Sequence, residues 1–98
     1  MMIASLTIVA GPDAGRSCRL IPGSVLTVGR GQGCGLILSD PGVSRVHCRL
    51  ISEVDRVRLE DADSRFGTIV NRQPIYSQTL SSGDMIEIGD TRLEFHGE

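Results

Sequence analysis

The sequence predicts an all-β fold, either a sandwich or a barrel, and three observations predict it. Apolar and polar residues alternate with a period of two in the clearest segments, as where Val57 and Leu59 stand against Arg56, Arg58 and Glu60. Clusters of Gly, Pro, Asp and Ser recur at short spacing and cut the chain into brief runs. No stretch combines helical periodicity with capping residues at its ends.

The elements follow in order. Residues 4–10 read as a strand that stops at the turn cluster Gly11-Pro12-Asp13. Residues 17–21 form a second, closed by Pro22-Gly23. Residues 25–28 run into Gly29-Arg30-Gly31, and the short run 36–38 ends at Asp40-Pro41-Gly42. In residues 46–52, Val46, Cys48 and Leu50 alternate with His47, Arg49 and Ile51. Residues 56–60, 68–70, 85–88 and 91–95 complete the set. Strands this short leave little interior space for a substrate, so function is expected on the loops of a rigid scaffold. The loops 29–35, 39–44 and 61–67 stand out by content.

Length and charge narrow the function classes. Ninety-eight residues fit a single domain spanning 1–98. A chain of this size buries roughly 60–68% of its unfolded surface, enough for one modest core. Hydrophobic residues make up 40% of the chain, with no linker, repeat or low-complexity tract. The apolar runs fall far short of the ~18 residues that cross a bilayer, and the N-terminus lacks a signal-peptide pattern, so a cytoplasmic protein without membrane insertion is expected. A net charge of −2 argues against nucleic-acid binding. Aromatics at 3% leave no stacking platform for single strands. All 10 basic residues are arginine, the side chain that grips phosphate bidentately. Cys18, Cys34 and Cys48 lack the spacing of a disulfide framework or zinc site, so reduced thiols and no metal or cofactor are expected.

Two motifs invite enzymatic readings and fail on context. The glycine-rich stretch Gly29 to Gly35 is followed by strand and turn, not by the helix whose N-terminus would hold a pyrophosphate. No Gly-Lys-Ser/Thr occurs, which removes a P-loop. Ser44 and His47, three apart on an extended segment, would point to opposite faces, so they do not make a nucleophile and its base. A histidine at a strand start is better read as structural, with one ring nitrogen donating to a carbonyl to pin a loop. Arg30, Arg45 and Arg65 each sit in or beside a loop, and with Ser44 they suggest a different chemistry. A serine hydroxyl and two guanidinium groups make a natural receptor for a dianionic phosphate.

These residues, in this order, resemble the forkhead-associated (FHA) domain. Gly29-Arg30 matches that family's Gly-Arg at the end of its third strand, and Ser44-Arg45-Val46-His47 its Ser-x-x-His. The stretch from Asp61 to Asn71 matches Asp-x-x-Ser-x-x-Gly-Thr-x-x-Asn, and Gly83-Asp84 matches the late Gly-Asp. The resemblance covers nearly the whole chain. It implies a twisted antiparallel β-sandwich, FHA/SMAD-like, of about eleven short strands with no substantial helix. It implies a non-enzymatic module that binds threonine-phosphorylated protein or peptide in Ser/Thr-kinase signalling or regulated assembly, expected to be bacterial and monomeric. On the same basis Arg30 would contact the phosphate or the peptide backbone beside it, Ser44 would donate its hydroxyl, and Arg45 would add a second cation. Gly29 and Gly67 would supply backbone freedom, while His47, Thr68 and Asn71 would support the binding loops.

Two positions depart from the family pattern. Arg65-Phe66 stands where Thr-Asn is common, so Phe66 cannot bond the peptide main chain by its side chain. Arg65 is expected to compensate by its reach, toward the phosphate or acidic residues of the ligand. Arg72 stands where glycine is common, so a reshaped turn is expected there. Phe66, as a lone ring, also motivates the rival reading: a phosphate-independent FHA-fold scaffold within a larger bacterial assembly such as a secretion system.

Overall fold

The computed structural model describes residues 3–98, and among these it contains eleven strands and no helix. In chain order they are β1 (Ala4–Ala10), β2 (Ser17–Leu20), β3 (Val25–Gly29), β4 (Leu36–Ile37), β5 (Cys48–Ser52) and β6 (Val57–Asp61). Then come β7 (Thr68–Val70), β8 (Gln73–Ile75), β9 (Ser77–Thr79), β10 (Met85–Ile88) and β11 (Thr91–Gly97). One sheet has six strands in the order β2-β1-β11-β10-β7-β8, the other five in the order β4-β3-β5-β6-β9. The all-β sandwich of about eleven strands expected from the family resemblance is what forms. All pairs are antiparallel except β3 and β4, which run parallel, with Val28 opposite Leu36.

Period-two alternation builds the core. Ala4, Leu6 and Ile8 of β1, Ile86 and Ile88 of β10, and Leu93 and Phe95 of β11 point inward from the larger sheet. Val28, Cys48, Leu50, Val57 and Leu59 meet them from the smaller one. Each large aliphatic side chain so buried contributes about 1.5–3 kcal/mol. A one-residue slip in any strand would turn this set outward, so the core fixes the register.

Two strands went unread by periodicity. β8 contains Pro74, which has no N–H for the ladder, and β9 is Ser77-Gln78-Thr79. Both lie at sheet edges, where a missing donor and a polar surface are tolerated. Between them the chain changes sheets across the single residue Tyr76. The strand expected over residues 46–52 begins only at Cys48, because residues 44–47 form a turn.

Strand directions gather six connections at one end of the sandwich: residues 11–16, 30–35, 38–47, 62–67, the single residue Tyr76, and 89–90. The β7–β8 turn lies at the other end. There Val70 and Gln73 pair across a two-residue loop in which Asn71 and Arg72 have φ of 49° and 70°. Two consecutive positive φ values are the signature of a type I′ hairpin. The expectation of a reshaped turn is therefore corrected: the tight turn persists, with arginine in the left-handed region.

Candidate functional site

β3 delivers Gly29 and Arg30 to the loop end. A Cβ on Gly29 would lie 2.1 Å from the Arg45 carbonyl oxygen, so only glycine lets the β4–β5 loop pass this close. The Arg30 N–H donates to the Ser44 carbonyl at 3.1 Å, and the Gly31 N–H to that of Arg45 at 2.9 Å. The Arg30 side chain turns back and its Nε donates to the Val43 carbonyl. That bond fixes the guanidinium plane and leaves its terminal nitrogens without a carboxylate partner among the described residues.

Ser44 lies in the β4–β5 loop. Its N–H donates to His47 Nδ1 at 3.0 Å. Since Nδ1 accepts, the imidazole proton sits on Nε2, which donates to the Gly67 carbonyl at 2.8 Å. His47 is fully buried and joins the β4–β5 loop to the β6–β7 loop. The extended segment expected at 44–47 is thus a tight turn, and Ser44 and His47 are hydrogen-bonded neighbours. The contact is made by the Ser44 main chain, however. The Ser44 hydroxyl oxygen accepts from the Arg65 N–H at 3.0 Å, which leaves its own proton free to be donated outward.

The β6–β7 loop is shaped by Asp61. One carboxylate oxygen accepts from the hydroxyls of Ser64 and Thr68, the latter at 2.7 Å, and the other from the Ser64 N–H at 3.1 Å. The Ser64 hydroxyl accepts in turn from the Gly67 N–H at 3.0 Å. Burial pushes the Asp61 carboxyl up, but the bonds from Ser64 and Thr68 outweigh it and hold the group below its ordinary value. Gly67 has φ +88° with open space beside it, so its need for glycine is conformational, unlike that of Gly29. The Arg65 guanidinium lies 5.2 Å from the centre of the Phe66 ring, a cation–π contact on an exposed surface.

Two further carboxylates brace this end. Asp40 is 1% exposed and accepts from the Gly42 N–H at 2.8 Å, the Asp90 N–H at 2.8 Å and the Thr91 hydroxyl at 2.7 Å. Burial raises its pKa, and these donors reverse the shift to a net lowering. Asp13 accepts from the Ser39 N–H at 2.7 Å, which holds its carboxyl low.

Arg30, Ser44, Arg65 and Phe66 meet around a small open pocket of about 80 Å³, completed by Pro41, Gly42 and Val43. Arg45 is not among its walls. Its carbonyl accepts from the Cys34 thiol at 3.0 Å, and the residue is exposed. The two cations that line this pocket are Arg30 and Arg65. Asn71 is corrected as well: its amide donates to Asp84 at 2.8 Å and accepts from the Met85 N–H at 2.9 Å, bracing the far end and not the binding loops. Asp40 and Asp61 were not singled out from sequence. The Asp-x-x-Ser spacing was a usable signal for Asp61, while Asp40 read only as part of a turn. No three His, Cys, Asp or Glu side chains gather as a metal site among the described residues. Burial pushes the Cys48 thiol up to about 12, which removes it as a nucleophile.

Comparison with known proteins adds four findings. The family described as "inner membrane component of T3SS, cytoplasmic domain" matches residues 7–98. The glycogen accumulation regulator GarA of Mycobacterium tuberculosis is 37% identical over 92 residues, which cover 94% of this chain and 56% of that protein. The chain therefore spans little more than half the length of that relative. An FHA domain from Chlamydia trachomatis superposes with TM-score 0.92 at 29% identity, over 96% of each chain. A structure from a study of phosphothreonine-dependent FHA domain interactions superposes with TM-score 0.88 at 31% identity, over 96% of this chain and 95% of that one. Among the described residues no helix is long and apolar enough to cross a membrane.

Proposed function

The chain belongs to the forkhead-associated domain family, and on that premise we propose that it is a non-enzymatic binding module for threonine-phosphorylated peptides. The observation that carries the reading is the meeting of Arg30, Ser44 and Arg65 at one open pocket, with neither guanidinium paired to a carboxylate among the described residues. The Ser44 hydroxyl, oriented by the Arg65 N–H, donates to one phosphate oxygen. Arg30, aimed by its bond to Val43, and Arg65, propped on Phe66, bracket the remaining charge. Charge-assisted hydrogen bonds contribute about 1.5–3 kcal/mol each, so three supply roughly 4–9 kcal/mol before ordering costs. Micromolar capture needs about −8 kcal/mol, so flanking peptide contacts must add the remainder. The net charge of −2 does not oppose this, because screening limits its reach to about 8 Å.

The setting that fits is cytoplasmic signalling downstream of a Ser/Thr kinase. A phosphate-independent scaffold is the second reading, motivated by the secretion-system description of the matched family. The unpaired guanidiniums favour the first. Calorimetric titration with a phosphothreonine peptide and its unphosphorylated twin separates the two: binding of the phosphorylated form alone is expected, and equal affinities would support the scaffold.

A further inference from the structure

A second cavity opens beside the phosphate pocket and shares two of its walls, Gly42 and Phe66. At about 320 Å³ it is the larger of the two. It is lined by Phe66 and Ile69 and by two acidic residues, Glu87, which pairs with Ile69 across the sheet, and Asp90, which lies beside Gly42. Asp90 lies in the β10–β11 turn, which the buried Asp40 carboxylate clamps to Gly42 of the phosphate loop. The two cavities are thus walls of one braced unit. Neither the Glu87 nor the Asp90 carboxylate has a hydrogen-bond or ion-pair partner among the described residues. Arg92 stands opposite Glu87 in the β10–β11 register but makes no ion pair with it.

We infer that this cavity takes a cationic side chain, arginine or lysine, from the same peptide whose phosphate sits next door. The inference rests on the phosphopeptide reading above. Such a side chain has an aliphatic stem and a charged head, and the cavity offers a surface for each: an aromatic ring and a branched aliphatic for the stem, two carboxylates for the head. A neutral apolar side chain would bury against Phe66 but leave both carboxylates facing it unpaired. An acidic one would meet like charge. The charge pattern therefore sets a preference that the phosphate pocket, lined by cations, does not have. An extended peptide advances about 3.3 Å per residue, so the adjoining cavity reads a residue within roughly three positions of the phosphothreonine.

The test titrates the protein with phosphothreonine peptides carrying arginine, lysine, alanine or glutamate at each of those positions in turn. At one position the arginine and lysine forms are expected to bind about tenfold more tightly than the glutamate form, the gap that roughly one ion pair at a docked site produces. In the double variant Glu87→Gln, Asp90→Asn that ratio is expected to collapse toward one. A ratio near one at every position in the unaltered protein, with the phosphate requirement intact, overturns this inference and leaves the proposed function standing. A ratio that survives the double variant places the selectivity elsewhere and overturns it too. If phosphorylated and unphosphorylated peptides bind alike, both readings fall together.

Discussion

Arginine is used in opposite ways in two regions of this molecule. On the outer face of the smaller sheet, Arg58 reaches Glu53 and Glu60, each at 3.0 Å, and Arg56 joins the same Glu53 at 3.1 Å. At the loop end, Arg30 and Arg65 find no carboxylate among the described residues. They are held by the main chain and a ring: a carbonyl for Arg30, Phe66 for Arg65. The carboxylates follow the same division. Glu53 is held below its ordinary value by bonds from Arg58 and then Arg56, whereas Asp61 stays low against burial through hydroxyl and main-chain donors. The loop end has acids enough to neutralise its arginines, yet Asp40 and Asp61 are turned inward to hold backbone. The difference teaches that an ion-paired arginine reports a solvated face, and a braced but unpaired one a receptor.

The comparison can be broken at its brace. Gly29→Ala would drive a methyl group into the Arg45 carbonyl and is expected to cost at least about 3 kcal/mol in chemical denaturation. A loss under about 1 kcal/mol would mean that the two loops are not locked as described. Next in size, Asp61→Ala strands the Ser64 and Thr68 donors and is expected to cost roughly 2–3 kcal/mol of stability. Weaker peptide binding should accompany it, because the Arg65 N–H would lose its fixed place.

The arginines themselves sharpen the contrast. Arg30→Ala and Ser44→Ala are each expected to weaken phosphopeptide binding by about 2 kcal/mol in calorimetry while the thermal midpoint holds. Arg58→Ala, at the paired face, should leave peptide affinity unchanged, and an equal loss there would erase the distinction. Acid gives a gentler handle. Asp13, Asp40 and Asp61 have folded pKa values below the ordinary one. Their stabilisation is therefore complete above the ordinary aspartate value of about 3.9 and is lost as the pH falls through the depressed folded values. Thermal melts should be flat just above that value and fall below it. Midpoints that rise on acidification would contradict the three clasps.

Much of this was legible in the sequence. Alternation located most of the strands, since burial on one face forces apolar residues to every second position. β8 and β9 escaped because edge strands need neither full pairing nor an apolar face, which lets Pro74 and Ser77-Gln78-Thr79 stand there. The parallel β3–β4 pair was hidden because it depends on a loop doubling back, fixed by the Leu38 N–H on the Gly29 carbonyl at 2.8 Å. At the site, Arg30 and Ser44 could be named from their spacing. Arg45 and Arg65 could both be named as well, but not that Arg65 lines the pocket and Arg45 does not, since that depends on how the folded loops meet. The Asp40 clasp joins residues 50 apart in sequence and leaves no local pattern to read.

The central claim is that one phosphate is held by two guanidiniums and one hydroxyl from separate loops. A crystal structure with a bound phosphothreonine peptide tests it most directly. The expected result is a single phosphate within hydrogen-bond distance of the Ser44 hydroxyl and of both the Arg30 and Arg65 guanidiniums. A peptide whose phosphate lies against Arg45, against the paired arginines of the sheet face, or free in solvent would contradict it.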